Sequence, residues 1–247
     1  MPTQAALEEA YAKTYASSGH MEGDPIRNVV VRRTCLECVV AALEEHGAAG
    51  RVFEAGAGWG GIAELLSTRG FQYEGIEPNE QMAAHCRSKG LPVTCASFAD
   101  WCGSGFDAIV MCAVFEHSPD PEAWLDRIRN GLRPGGLFVS LQPTAPFATL
   151  GARLCRLGST RPPLPRLHEA FCPPWHAVLF SLAGMEKLAS QSGMELVEVR
   201  PARQGRAGGL TGLAQVTLEL VNRAGWRLAK RVWPLLPCHV FVFRKTP

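Results

Sequence analysis

Apolar positions change period several times along this chain, and each change marks an element. Cys35, Val39, Val40 and Leu43 recur at helical spacing and predict a helix over roughly 26–47, ended by Gly47 and Gly50. The run RVFEA (51–55) is a short apolar strand, followed at once by the turn GAGWGG and a helix through Ser67. FQYEGIE (71–77) is a second strand, and Asn79 caps a helix that ends near Gly90. LPVTC (91–95) and the nearly continuous apolar run FDAIVMCAVF (106–115) are strands of the kind a doubly covered sheet requires. Residues 121–132 are amphipathic through Trp124, Leu125, Ile128 and Leu132, and the Gly-rich stretch 133–136 breaks that helix before the strand LFVSLQP (137–143). Leu182, Met185 and Leu188 line one side of a helix over 181–193, with the strand ELVEVR (195–200) after it. A Gly/Arg link then leads to a helix across roughly 211–233 and the closing strand HVFVFRK (239–245).

Short β-rich runs alternating with helices predict an α/β fold: a doubly wound, mostly parallel seven-stranded sheet of Rossmann-like type. The segment 144–180 is long and rich in Pro and Arg, so it is expected to form a helical excursion after the fifth strand. The length of 247 residues suits one domain. Its expected parts are an N-terminal helical lid (1–49), a cofactor-binding half (50–143) and a substrate-side half (144–247).

Composition narrows the class. Apolar residues at 47% and charged residues at 19% exclude a disordered chain, a collagen-like repeat and a coiled coil. Nine Cys, an odd and sparse count, argue against a disulfide framework. Cys35 and Cys38 form a lone C-x-x-C on an amphipathic helix and are expected as packing residues rather than zinc ligands. Acids stand in the first residues where a signal peptide needs an apolar core, so a cytoplasmic, reducing setting is expected. The charge-free stretch 134–152 carries three Pro and three Gly and is a poor spanning helix.

Gly56, Gly58 and Gly61 match G-x-G-x-x-G between a strand and a helix, and Glu77 follows 21 residues later at the end of the next strand. A carboxylate there can accept hydrogen bonds from ribose hydroxyls, which suits a dinucleotide as well as other nucleoside cofactors. Glu54 separates these cases. A dinucleotide fingerprint has an apolar residue two before the first Gly, whereas Glu54-x-Gly56-x-Gly58-x-Gly60 places a carboxylate at the strand end. That charge suits a cofactor with an ammonium group. S-adenosylmethionine has one and NAD does not.

At this point the chain resembles the class I S-adenosylmethionine-dependent methyltransferases. The resemblance continues through Glu77-Pro78-Asn79, Phe106-Asp107-Ala108-Ile109-Val110, the stretch from Phe115 to Pro121, and the stretch from Leu132 to Val139. It covers about residues 50–200 and is nearest the small-molecule branch that includes the ubiquinone-biosynthesis O-methyltransferases and natural-product enzymes. The resemblance implies that Glu54, Ala55, Gly56, Gly58 and Gly60 hold the methionine tail. It further implies that Glu77 and Pro78 lie at the ribose, that Ser97 and Phe98 border the adenine, and that Cys112 and Ala113 face the methyl-transfer zone. Relatives often place an Asp where Ser97 stands.

Methyl transfer from a sulfonium is an in-line displacement, so positioning and acceptor deprotonation supply most of the catalysis. His117 and His176 are the candidate bases, with structural packing as the alternative for each. Quinone-type relatives can bind a divalent cation through Glu-x-x-Glu-His. Here Glu116 and His117 remain but Ala113 replaces the first Glu, so no metal is expected. Tyr11 and Tyr15 could contribute to the lid.

Charge is divided unevenly. Residues 1–120 hold 8 bases and 16 acids, and residues 121–247 hold 17 bases and 7 acids. Arg153, Arg156, Arg161 and Arg166 lie in the excursion; if any points inward, the acceptor is anionic. Arg223, Arg227, Lys230 and Arg231 run beside Leu213, Leu220 and Leu228. This is expected to be a core-facing helix with a solvated basic edge, a membrane-surface helix being the alternative. No nucleic-acid module is present, and the pattern fixes no oligomeric state. The sequence therefore predicts methyl transfer to a hydroxyl or amine of a small molecule. The alternatives are an NAD-dependent oxidoreductase, a non-catalytic relative of the fold, and a methyltransferase acting on a membrane lipid or quinone.

Overall fold

Seven strands form one sheet in the order β3-β2-β1-β4-β5-β7-β6, in a computed structural model that describes residues 25–157, 176–203, 209–229 and 233–246. The elements in chain order are α1 (Pro25–Glu45), β1 (Arg51–Ala55), α2 (Gly61–Thr68), β2 (Gln72–Glu77), α3 (Glu80–Ser88) and β3 (Val93–Cys95). They continue with β4 (Phe106–Cys112), α4 (Pro121–Gly131), β5 (Leu132–Pro143), α5 (Ala145–Leu157), α6 (Leu182–Gln191), β6 (Met194–Pro201), α7 (Gly209–Ala229) and β7 (Cys238–Lys245). β1 to β5 are parallel, and β7 is antiparallel to both β5 and β6.

Alternation along the strands divides the core in two. Val52, Ala108, Val110, Val139 and Val242 meet α1, α2 and α3 through Val39, Leu43, Leu66 and Ala83. Phe53, Ile109, Met111, Phe138, Phe241 and Phe243 meet α4 and α6 through Leu125, Ile128, Met185 and Leu188. Asn79 caps α3 by accepting from the Met82 N–H at 3.1 Å, Asp120 caps α4 through the Ala123 N–H, and Ser181 caps α6 through the Gly184 N–H.

Several boundaries differ from those expected. β4 stops at Cys112, because Ala113 has φ 61° and the chain enters a 3-10 turn over Phe115–His117. The third strand is shorter than expected, Val93–Cys95. The expected break at 133–136 is instead part of β5, accommodated by a register shift between Phe106 and Ala108. The excursion after β5 begins with α5, and its residues 158–175 lie outside the described residues, as do Tyr11, Tyr15, Arg161 and Arg166. Arg153 is exposed. Cys35 and Cys38 are half-buried against the first core, as packing residues should be.

The largest departure concerns α7. Leu213, Leu220 and Leu228, expected to face the core, are 65%, 60% and 88% exposed. The inward side instead holds Asn222, which is buried and accepts from the Trp233 indole N–H at 2.9 Å. Gly225 packs so closely on Trp233 that a Cβ would lie 2.1 Å from its ring.

Candidate active site

The carboxyl edge of the parallel strands gathers the sequence-predicted residues. β1 ends in Glu54 and Ala55, both buried, and the chain turns through Gly56, Gly58 and Gly60 with φ of 77°, 54° and 82°. The N–H groups of Gly56 and Ala57 donate to the Ile76 carbonyl at 2.9 and 3.0 Å, which ties the turn to β2. A Cβ on Gly56 would lie 2.4 Å from Cγ2 of Val114, whereas among the described residues nothing comes within 4 Å of a Cβ on Gly58. Gly56 is therefore packed and Gly58 borders open space. Gly56→Ala combines a left-handed backbone with a collision and is expected to cost about 1–2 kcal/mol. A thermal melt should show a drop of roughly 2–8 °C. Gly58→Ala keeps the left-handed backbone cost of about 1 kcal/mol but meets no collision, so its melt should fall less than that of Gly56→Ala while cofactor binding weakens, as calorimetry would show.

Glu77 closes the turn. Its Oε2 accepts from the Gly58 N–H at 2.8 Å and its Oε1 from the Asn79 N–H at 3.0 Å. Burial raises its pKa, and the two N–H donors pull against that rise. Each carboxylate oxygen keeps a further acceptor site for a ribose hydroxyl. Pro78 beside it is exposed.

Glu54 is only 2% exposed and accepts from the Tyr73 hydroxyl at 2.6 Å. Burial pushes its carboxyl up to about 8, the Tyr73 hydrogen bond opposes the shift, and nearby Glu77 adds to it. A buried carboxyl in this condition fits a cationic group of a cofactor, whose charge would favour the ionised form. One participant has no sequence signal: Arg32 of α1 donates to the Cys112 carbonyl at 3.4 Å, and its charge favours ionised Glu54 and Glu116. Only the packing of α1 across the end of β4 brings it there.

Ser97 caps the 3-10 turn Phe98–Asp100, its Oγ accepting from the Ala99 N–H at 3.2 Å, so one acceptor site is already used. The Phe98 ring is buried against Trp101 and Trp124, so it is the backbone of Phe98 that can border a cofactor. An open cleft of about 550 Å³ runs from Ser97 and Ile76 past Phe53 and Trp101, where only the short 3-10 turn connects β3 and β4. Cys112 is buried, and its thiol is pushed well up by burial and by Glu54. Ala113, with its left-handed φ, donates its N–H to the Leu141 carbonyl at 2.7 Å. Such a conformation costs a non-Gly residue roughly 1–3 kcal/mol and sits where the methyl-transfer zone is expected.

His117 and His176, far apart in sequence, stack with ring centroids 5.2 Å apart. Glu116 beneath them is fully buried, with its Oε1 3.9 Å from the Nε2 of His176. The Val178 N–H donates to the Glu116 carbonyl at 3.0 Å and anchors the strand end against the returning chain. Burial pushes Glu116 up to about 8. Burial and the neighbouring His176 push His117 down to about 3. The two candidate bases thus occupy one place with unequal properties, and His117 is held neutral. One ligand atom from each of Glu116, His117 and His176 lies within 4.8 Å of the others. The oxygen ligand missing at Ala113 is not replaced by another carboxylate in this grouping; His176 adds an imidazole nitrogen to Glu116 and His117 instead. Two imidazoles and a carboxylate suit a borderline transition metal better than magnesium.

A family model described as a methyltransferase domain matches residues 30–199. Among curated proteins, the ubiquinone biosynthesis O-methyltransferase of Xanthomonas axonopodis is 32% identical over 123 residues, 46% of this chain and 51% of that protein. The protein of the same name from Idiomarina loihiensis is 29% identical over 100 residues, 36% of this chain and 41% of that protein. The matches span about half or less of those relatives. Among solved structures, the magnesium protoporphyrin IX methyltransferase of Synechocystis with bound S-adenosylhomocysteine aligns with a TM-score of 0.63 at 13% identity, over 99% of this chain and 100% of that one. A cyclopropane synthase of Mycobacterium tuberculosis aligns at 0.60 with 14% identity, over 85% and 84%. These likenesses bear out the doubly wound fold.

Proposed function

The chain belongs to the methyltransferase-domain family, as a class I S-adenosylmethionine-dependent member, and on that premise we propose that it transfers the cofactor's methyl group to a hydroxyl of a small molecule. The observation that carries this reading is the pairing of two sites along one sheet edge. Glu54 and the Gly56–Gly60 turn form an acidic, glycine-lined cradle, and a Glu116–His176 pair stands beyond Ala113. The cradle fits the ammonium end of S-adenosylmethionine, which supplies an electrophilic methyl group when bound. Glu77 fits the ribose, and Ser97 has one acceptor site left for the adenine amino group.

His176 is the group that takes the hydroxyl proton. Ionised Glu116 stabilises the imidazolium that results, in the manner of a carboxylate orienting a histidine. His117, neutral at working pH, stacks on His176 and positions it. A bound metal would occupy the same imidazole nitrogens, so the base reading and a metal reading exclude each other. Turnover that survives dialysis against EDTA is expected. Two relatives carry names referring to ubiquinone biosynthesis and O-methylation, and those names support the choice of oxygen as acceptor. Transfer of labelled methyl from S-adenosylmethionine to a panel of phenols and matched anilines tests the reading. Label on the phenols alone is expected; label on the anilines alone would move the acceptor to nitrogen.

A further inference from the structure

A 21-residue helix with Leu213, Leu220 and Leu228 outward and Asn222 buried on its inner side needs an explanation beyond the fold. Along α7, Leu213, Leu220, Val221, Ala224 and Leu228 share one side, within about 100° of arc at 3.6 residues per turn. All are exposed, Leu228 the most at 88%. The opposite side carries Asn222 and Trp226, fixed by the Trp233 hydrogen bond to Asn222 and by the Trp226 ring 5.2 Å from His239. Those contacts lock the helix rotation, so the apolar face is held outward by the protein's own packing. Isolated exposed leucines are ordinary, but a contiguous stripe marks an interaction surface.

Topology inserts α7 at the sheet edge that carries the active site. β6 ends at Pro201, paired with His239 near the start of β7, and the Ala202 N–H donates to the Cys238 carbonyl at 3.1 Å. Cys238 in turn pairs with Pro143 at the carboxyl end of β5. The chain therefore leaves and re-enters the sheet at its carboxyl edge, with α7 inserted there. Arg223 and Arg227 border the stripe, and in the sequence Lys230 and Arg231 follow. Residues 202–247 hold 8 bases and a single acid, Glu219, which pairs with Arg223 at 2.7 Å.

We propose that α7 lies on an anionic lipid surface, its leucine stripe entering the headgroup boundary and its Arg flank meeting lipid phosphates. Charge selects this occupant over a second copy of the chain, since the eight bases against one acid of residues 202–247 complement anionic headgroups, whereas a second α7 segment brings the same positive excess. The assignment stands independently of the acceptor's identity.

Flotation of the full chain with phosphatidylcholine vesicles, with and without phosphatidylglycerol, tests it. Binding is expected only to the anionic vesicles and should weaken with added salt. The triple variant Leu213→Gln, Leu220→Gln, Leu228→Gln should lose binding roughly tenfold or more while its melting temperature changes little, because those side chains are mostly exposed. Arg227→Gln should weaken it less and reduce the salt dependence. Equal binding by the triple variant would overturn the proposal. So would failure of the wild type to bind anionic vesicles, or a wild-type dimer in sedimentation that the triple variant converts to monomer.

Discussion

Replacing Glu54 by Gln is expected to weaken S-adenosylhomocysteine binding by roughly 10–100-fold and to abolish the proton release that accompanies it. In the free protein, burial holds Glu54 near 8, so the carboxyl is mostly protonated at neutral pH. The ammonium of the ligand favours the carboxylate, and its arrival drives the proton off. Calorimetry in buffers of different ionisation enthalpy reads this directly: about one proton released at pH 7, with the release fading above about pH 9. Gln keeps an oxygen that can accept from the Tyr73 hydroxyl, so the variant retains that contact while losing the charge. Tyr73→Phe removes the donor that favours the ionised form, so the release should persist to higher pH than in the wild type. Strong binding without proton release in the wild type would remove Glu54 from the cofactor site.

The second large effect concerns turnover. His176→Ala is expected to lower kcat by about 10²–10⁴ with cofactor affinity unchanged, the range a lost general base commonly produces. At saturating S-adenosylmethionine Glu54 is already ionised, so Glu116 is left to set the pH profile. Its carboxyl, at about 8, must ionise to support the His176 imidazolium. kcat/KM for the acceptor should therefore rise through an apparent pKa near 8, and Glu116→Gln should flatten the rise. His117→Ala should lower kcat less, since a ring held near 3 takes no proton at working pH. Stability runs opposite to activity. A carboxyl raised from 4.5 to about 8 by folding keeps a proton that the unfolded chain releases. Its contribution is intact below about pH 4.5 and is lost as pH rises to 8. The melting temperature should fall across that window, and less steeply in Glu116→Gln. A merely structural His176 would leave both the pH profile and kcat unmoved by these changes.

The elements were legible from the chain because each rests on a local period. The alternation at 51–55 and 71–77, the helical spacing of Cys35 to Leu43, and Asn79 as a cap depend on neighbours a few residues away. Glu54 with its glycines was legible for the same reason, since a strand, a tight turn and a helix start lie within ten residues. Seven strands in an α/β order then restrict the topology to few arrangements.

Three features had no local signal. Arg32 reaches Cys112 across 80 positions of sequence, a contact made only when α1 packs on the sheet. Glu116 and His176 become a pair only because the chain returns beside the 3-10 turn after β4. The helix over 209–229 has the same amphipathic pattern whether its leucines face the core or the solvent, and Trp233 against Gly225 decides which. Period fixes which residues share a face; burial, and with it the pKa of Glu54 and of Glu116, belongs to whatever the tertiary fold sets against that face.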